Sequence, residues 1–237
     1  MSWWQLSKKP FIESLSKLTY ESRASPAFLA SSTAGWVNPR KHGTTSDRIW
    51  QAFDSEVLED MDDRQILSLF TKGFFGGYVF ALEGIALKCG GWRICPVGFT
   101  GFSQDEIDEI WSSTDIPLDD LCPTGTKFFG VFQLLDQYLC APGADRLSFV
   151  DYGFCSDKGT FAGAHRFSVK RSIRALSAIP EAGLREPSIT ISLEGFTCNP
   201  QKNEQVMPGV GLKFHALYAR LLFANGIESV LGGQTAN

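Results

Sequence analysis

Hydrophobic and polar positions alternate most clearly in the second half of the chain. GTKFFGVFQLLDQY (Gly125 to Tyr138) reads as one long strand, and RLSFVDYGF (Arg146 to Phe154) as another. AGAHRFSVKRS returns as a third and SITISLEGFTC (Ser188 to Cys198) as a fourth. These runs are rich in β-branched and aromatic residues and are bounded by Gly, Pro and Asp, the signature of an antiparallel meander. The link between the third and fourth, ALSAIPEAGLREP, carries Pro180 and Pro187 and predicts a loop. The period then changes. Val210, Phe214, Leu217, Tyr218, Leu221 and Leu222 recur at three- and four-residue steps, which predicts a helix from about Val210 to Leu231. At 1.5 Å per residue such a helix spans about 33 Å, enough to cross a whole sheet.

The first half reads as helical. SDRIWQAFDSEVL places Ile49, Trp50, Phe53 and Val57 on one helix face, with Ser46 or Asp47 as N-cap. DDRQILSLFTKG predicts a second helix, capped by Asp62 or Asp63 and stopped at Gly73. Gly76-Gly77 breaks the chain, and YVFALEGIALK fits either a third helix or a buried strand. FSQDEIDEIWSST reads as a helix with Ser103 as N-cap, Glu106 completing a capping box, and Ile107, Ile110 and Trp111 as its apolar edge. Residues 1–43, rich in Ser, Ala, Gly and Pro, read as an extension with a short helix near Phe11 to Leu18, packed on the body through Trp3, Trp4 and Trp36. Helices, then strands, then a long helix is α+β segregation. The expectation is one α+β ligand-binding domain over 44–237, an antiparallel sheet wrapped around the C-terminal helix with an apolar cavity between them.

Composition narrows the function. Nineteen Phe and six Trp point to a bulky core or an aromatic-lined pocket. The net charge of −4 offers no basic stripe for nucleic acid. The longest apolar stretch, Gly73 to Leu87, is interrupted by Glu83 and falls short of the ~20 residues of a membrane span, so no stable membrane insertion is expected. The amino terminus has no signal-peptide core, which predicts a cytoplasmic protein. Six scattered cysteines without a C-x-x-C pair read as buried thiols of a reducing compartment. Together with His42, His165 and His215 they give no zinc spacing, so no metal is expected. No G-x-S-x-G elbow, Walker loop, H-E-x-x-H helix or G-x-G-x-x-G turn is present, and no cofactor is expected. A homodimer is among the assemblies the sequence allows.

The second half carries a resemblance. GTKFFGVF, RLSFVDYGFCSDKGTFAGAHRFSV, ITISLEGFTC and the long helix, roughly Cys122 to Leu231, resemble the DUF1990 family, which is similar to the START and Bet v 1-like helix-grip folds. Tyr152-Gly153-Phe154, Gly163 and Arg166-Phe167-Ser168-Val169 match the family's rhythm. Where the family usually has an acidic pair after the glycine, this chain has Ala164-His165. The whole chain, with LFTKGFFGGYVFALEG, also resembles proteins of filamentous-fungal biosynthetic gene clusters, some of them cofactor-free cyclases including Diels–Alderases of the sordaricin type.

Strand parity selects candidate site residues. His165 shares a face with Phe167 and Val169, so it faces a pocket if they do, while Arg166 falls on the other face. The alternatives are a His165 bonded to a backbone carbonyl or to Asp151, and an Arg166 paired on the outer face with a carboxylate such as Asp157. On the outgoing strand Phe149 and Asp151 share one face and Tyr152 the other, and either face fits the pocket. Gln133, on the same parity as Phe129 and Val131, is a candidate for orienting a ligand. Tyr138, Trp111, Phe196 and Tyr218 are candidate walls, Glu194 points outward, and Glu83 is either a surface residue or a buried acid. His165, Gln133 and Asp151 are therefore the candidate catalytic groups. Tyr152, Arg166, Phe129, Val131, Phe149, Phe167 and the four walls are the candidate contacts for a hydrophobic small-molecule substrate. Two function classes fit: a cofactor-independent cyclase, with an acid–base isomerase or dehydratase as its variant, and a hydrophobic-ligand carrier.

Overall fold

The computed structural model describes residues 9–90, 93–103, 107–141, 147–172, 188–206 and 209–234. The architecture is α+β. Eight strands form one mixed, open sheet in the order β1-β2-β8-β7-β6-β5-β4-β3. They are β1 (Thr19–Glu21), β2 (Thr45–Asp54), β3 (Glu109–Ile110), β4 (Lys127–Phe128), β5 (Phe132–Tyr138), β6 (Ser148–Cys155), β7 (Ala162–Ser172) and β8 (Ser188–Cys198). All neighbours pair antiparallel except β3 and β4. The helices are α1 (Lys9–Lys17), α2 (Pro26–Leu29), α3 (Ser32–Val37), α4 (Asp63–Gly76), α5 (Ala81–Lys88) and α6 (Gly209–Gln234).

Several expectations hold. β7 and β8 have the expected limits, and β5 to β8 form the antiparallel meander. Asp62 caps α4, its carboxylate accepting the Gln65 amide at 2.8 Å. YVFALEGIALK resolves as the helix α5. The link 175–187 lies outside the described residues.

Others are corrected. SDRIWQAFDSEVL is not a helix: β2 pairs with β8 over ten residues, and only a 3₁₀ turn, Ser55–Leu58, follows. Ile49 and Phe53 are an even number of residues apart, so the spacing that suits one helix face also suits one strand face. The pairing, with Ile49 and Gln51 buried beneath the helices, decides between them. The segment after Ser103 is an edge strand at Glu109–Ile110, parallel to β4, rather than a helix; the proposed cap partner Glu106 lies outside the described residues. GTKFFGVFQLLDQY is two strands. Phe129 and Gly130 both take left-handed backbone (φ 54° and 70°) and fold β4 back on β5.

Gly73 does not stop α4. A Cβ there would stand 2.4 Å from the Asn225 carbonyl oxygen, and one at Gly226 would stand 2.5 Å from the Phe70 ring. The two glycines allow α4 and α6 to cross in close contact. Asn225 also accepts the Val79 amide at 2.9 Å, which ties the α4–α5 link to α6.

The sheet is covered on both faces. α4 and α6 pack on the inner face through Phe70, Phe74, Phe75 and Phe223 against Tyr152, Phe167 and Ile191. On the outer face, α2 and α3 lay Phe28, Ala34 and Val37 over Ala164 and Phe196. Within the segment 1–43, expected as an extension packed on the body, the described residues 9–43 supply an edge strand and a covering layer; Trp36 packs edge-on against Phe102. Trp3 and Trp4 lie outside the described residues.

The cysteines are also corrected. Cys95 and Cys155 form a disulfide, while Cys89, Cys122, Cys140 and Cys198 are free. The bridge removes the cysteine argument for a reducing compartment. Among the described residues no single helix is long and apolar enough to cross a membrane. α4 and α5 together have the length and composition, but they are bent by 69° and α4 is buried in the core.

Candidate functional site

A pocket of about 600 Å³ lies between the inner sheet face and the helices α5 and α6. Its walls are mostly apolar, with Phe74, Phe80, Val131, Phe132, Phe154 and Leu222 prominent. Polar groups enter from three elements and a turn: Glu83 from α5, Thr160 from the β6–β7 turn, His165 from β7, and His215 and Tyr218 from α6. Helical spacing brings Glu83 and Leu87 to the pocket side of α5 and leaves Leu82 and Ile85 exposed. On α6 the same rule turns His215 and Tyr218 inward and Phe214 and Leu217 outward.

The polar groups are electrostatically distinct. The Tyr218 hydroxyl donates to a Glu83 carboxylate oxygen at 2.5 Å. Burial pushes the Glu83 carboxyl above its ordinary range, opposed by the Tyr218 hydrogen bond and by His215. His165 sits between the rings of Phe154 (5.0 Å) and Phe74 (5.8 Å), with the His215 ring nearly parallel at 6.4 Å. Burial, with a lesser contribution from His215, holds its imidazole down to about 3, so it is neutral at physiological pH. Its Nδ1 is buried and has no hydrogen-bond partner among the described residues.

One rung of the sheet organises this end of the pocket. Asp47 on β2 pairs with Gly195 on β8, Gly195 with His165 on β7, and His165 with Tyr152 on β6. Directly paired residues share a face, so all four stand on the inner side. Asp47, Gly195 and His215 also line a second pocket of about 200 Å³. Burial raises the Asp47 carboxyl, and His215 and Arg220 draw it back down.

The expected site residues divide between the two faces. His165, Val131 and Tyr218 line the larger pocket. Tyr152 and Phe167 are on the same face but deeper, in the aromatic core, where the Tyr152 hydroxyl lies 3.1 Å from Thr71 Oγ1. Phe129 is in the β4–β5 turn, packed against Phe80. The turn breaks the parity that grouped Phe129 and Val131 with Gln133. Gln133 is on the outer side, where its Nε2 donates to the Gly125 carbonyl at 3.1 Å and it borders a different pocket with Asp157.

Asp151 and Arg166 are also on the outer face. Arg166 Nε and Nη2 donate to the two Asp151 oxygens at 2.7 and 2.8 Å, and Thr33 donates to Oδ2 at 2.7 Å. The partner of Arg166 is thus Asp151; Asp157 instead accepts the Thr100 amide. Phe149 lies 3.9 Å beneath the guanidinium, and Phe28 covers it at 4.8 Å. Glu194, opposite Arg166 on β8, points outward as expected but is buried, accepting the Ser25 amide. Phe196 packs in this layer, Tyr138 is partly exposed against Phe149, and Trp111 donates to Glu109. This face is a buried ion-pair network and is not continuous with the pocket.

Asp47 and His215 were not anticipated in the site. Asp47 enters it because β2 is a strand and not a capped helix, and His215 because α6 turns it toward the pocket. Glu83 carried a usable signal, an acid four residues before Leu87 in an otherwise apolar run. No group of three metal-ligating side chains converges among the described residues. No protein-family model, curated protein or solved structure matches the chain.

Proposed function

We propose that this chain is a cofactor-independent cyclase acting on a hydrophobic metabolite, most concretely an intramolecular [4+2] cyclase of natural-product biosynthesis. The observation that carries the reading is the convergence of Glu83–Tyr218, His165 and His215 on one apolar pocket. A carrier needs only the apolar walls. A cyclase needs walls that fold a flexible substrate into a reactive conformer, plus one or two donors that hydrogen-bond an oxygen of the substrate. Neutral His165 offers one N–H as such a donor, while the Tyr218 proton is already given to Glu83. The biosynthetic setting rests on the resemblance of the LFTKGFFGGYVFALEG region.

The connectivity supports a helix-grip reading of the fold. A long strand (β2), two helices (α4 and α5) and a run of strands lead to β8, which returns to pair with β2 before α6 crosses the inner face. In that reading the pocket between sheet and helix is the ligand cavity. A second reading, acid–base isomerisation or dehydration, is favoured by one observation: Glu83, raised by burial, shares the pocket with a neutral His165.

The test is incubation of the purified protein, without cofactors, with linear compounds that carry a conjugated diene and an activated alkene. An isobaric cyclised product supports the cyclase. Loss of water supports the dehydratase. Unchanged compound that stays bound through gel filtration supports the carrier and contradicts the cyclase.

A further inference from the structure

The rung that crosses the inner face has a gap in it. Gly195 stands between Asp47 and His165 and has no side chain. The point where a Cβ on residue 195 would stand is 3.2 Å from Asp47 Oδ1 and 3.2 Å from His165 Nδ1. Any β-carbon there would crowd both polar atoms. The glycine leaves a notch with a carboxylate on one wall and an imidazole on the other.

The notch also lies where the two pockets meet. His165 lines the larger, Asp47 and Gly195 line the smaller, and His215 lines both. His165 Nδ1 is buried with no partner, a state that folded proteins rarely leave uncompensated. We infer that the notch is a subsite for a hydroxyl of the ligand whose apolar body fills the larger pocket. The hydroxyl donates to Asp47 and accepts from Nδ1–H of His165, which fixes the imidazole tautomer and commits the single N–H of His165 to this substrate oxygen.

The chemistry of the walls selects this class. A carboxylic acid would bring a second negative charge beside Asp47. A ligand cation would add to the charge of Arg220, which already faces that carboxylate. A neutral hydroxyl satisfies both walls with one atom, because it donates and accepts at once. The ligand class is therefore an amphiphile, a hydrophobic polyene or polycycle with one alcohol or phenol group.

This inference rests on the proposed ligand cavity, and the test separates the two. The probes are 4-(1-pyrenyl)butanol and 1-butylpyrene, which differ by one hydroxyl, titrated by pyrene fluorescence. The wild type is expected to bind the alcohol about tenfold more tightly, the size of one hydrogen bond to a charged group. In Gly195→Ala the added methyl fills the notch and the ratio of the two affinities falls to about one. Circular dichroism checks that this variant is folded. Asp47→Asn, which adds no bulk, is expected to lower the same ratio. Equal binding of both probes by the wild type leaves the cavity standing and overturns the notch. If neither probe binds, the cavity reading fails and the inference fails with it.

Discussion

Asp47 and His165 face each other across Gly195, one on each neighbouring strand, and both polar tips lean over the missing side chain. The relationship comes from register alone, since 118 residues of sequence separate the pair. It puts a carboxylate beside a neutral imidazole at the pocket end of the inner sheet face.

His165 gives the protein a defined pH response. Its folded value, about 3, lies below the ordinary 6.5, so the unfolded chain takes up the proton first. The stability tied to the neutral ring is full above pH 6.5, is lost as pH falls, and levels off near pH 3. By pH 5 the loss is about 2 kcal/mol relative to pH 8. Urea titrations at the two pH values check this, with His165→Gln expected to show a loss smaller by that amount. An identical pH response in the variant contradicts the account.

Arg166 is structural. Replacing it with Met leaves Asp151 as a buried, uncompensated charge, which costs about 3–5 kcal/mol. Asp151→Leu combined with Arg166→Met is expected to recover most of that loss, because neither member of the pair is then left without its partner. Urea midpoints of the wild type and the two variants test this. Arg166→Met with wild-type stability would mean that the pair is not buried in solution.

The disulfide couples the pocket wall to the fold, since Cys95 and Cys155 both line the larger pocket. The bridge closes a loop of 60 residues. Removing it is expected to destabilise the chain by about 4 kcal/mol on the chain-entropy estimate. Cys95→Ser compared with the wild type in urea, without reductant, measures the difference. Free-thiol counting on the denatured wild type should find four thiols, the number left free among the described cysteines.

How much of this was legible varies along the chain. The meander from β5 to β8 was readable because period-two alternation and turn residues agree there. His165 and Arg166 were separated correctly onto opposite faces by parity. Parity failed at Gln133, because the Phe129-Gly130 turn resets the count. It failed for β2 in another way, since Ile49 and Phe53 suit either period and only the long-range pairing with β8 selects the strand. Asp47 could not be placed in the site before β2 was a strand. The Asp151–Arg166 pair was invisible because its cover, α2 and α3, reads in sequence as loop.

The central claim is cofactor-free cyclisation within the larger pocket. The direct measurement is the rate of isobaric product formation from a linear diene–dienophile compound by the wild type, His165→Phe and Ala219→Trp, followed by mass spectrometry. Ala219 lines the pocket from α6, so the indole occupies substrate space. The account predicts turnover by the wild type without any added cofactor, a fall of about 10²-fold in His165→Phe, and none above background in Ala219→Trp. Turnover that survives Ala219→Trp unchanged, or a wild type that binds the compound and never converts it, would contradict the account.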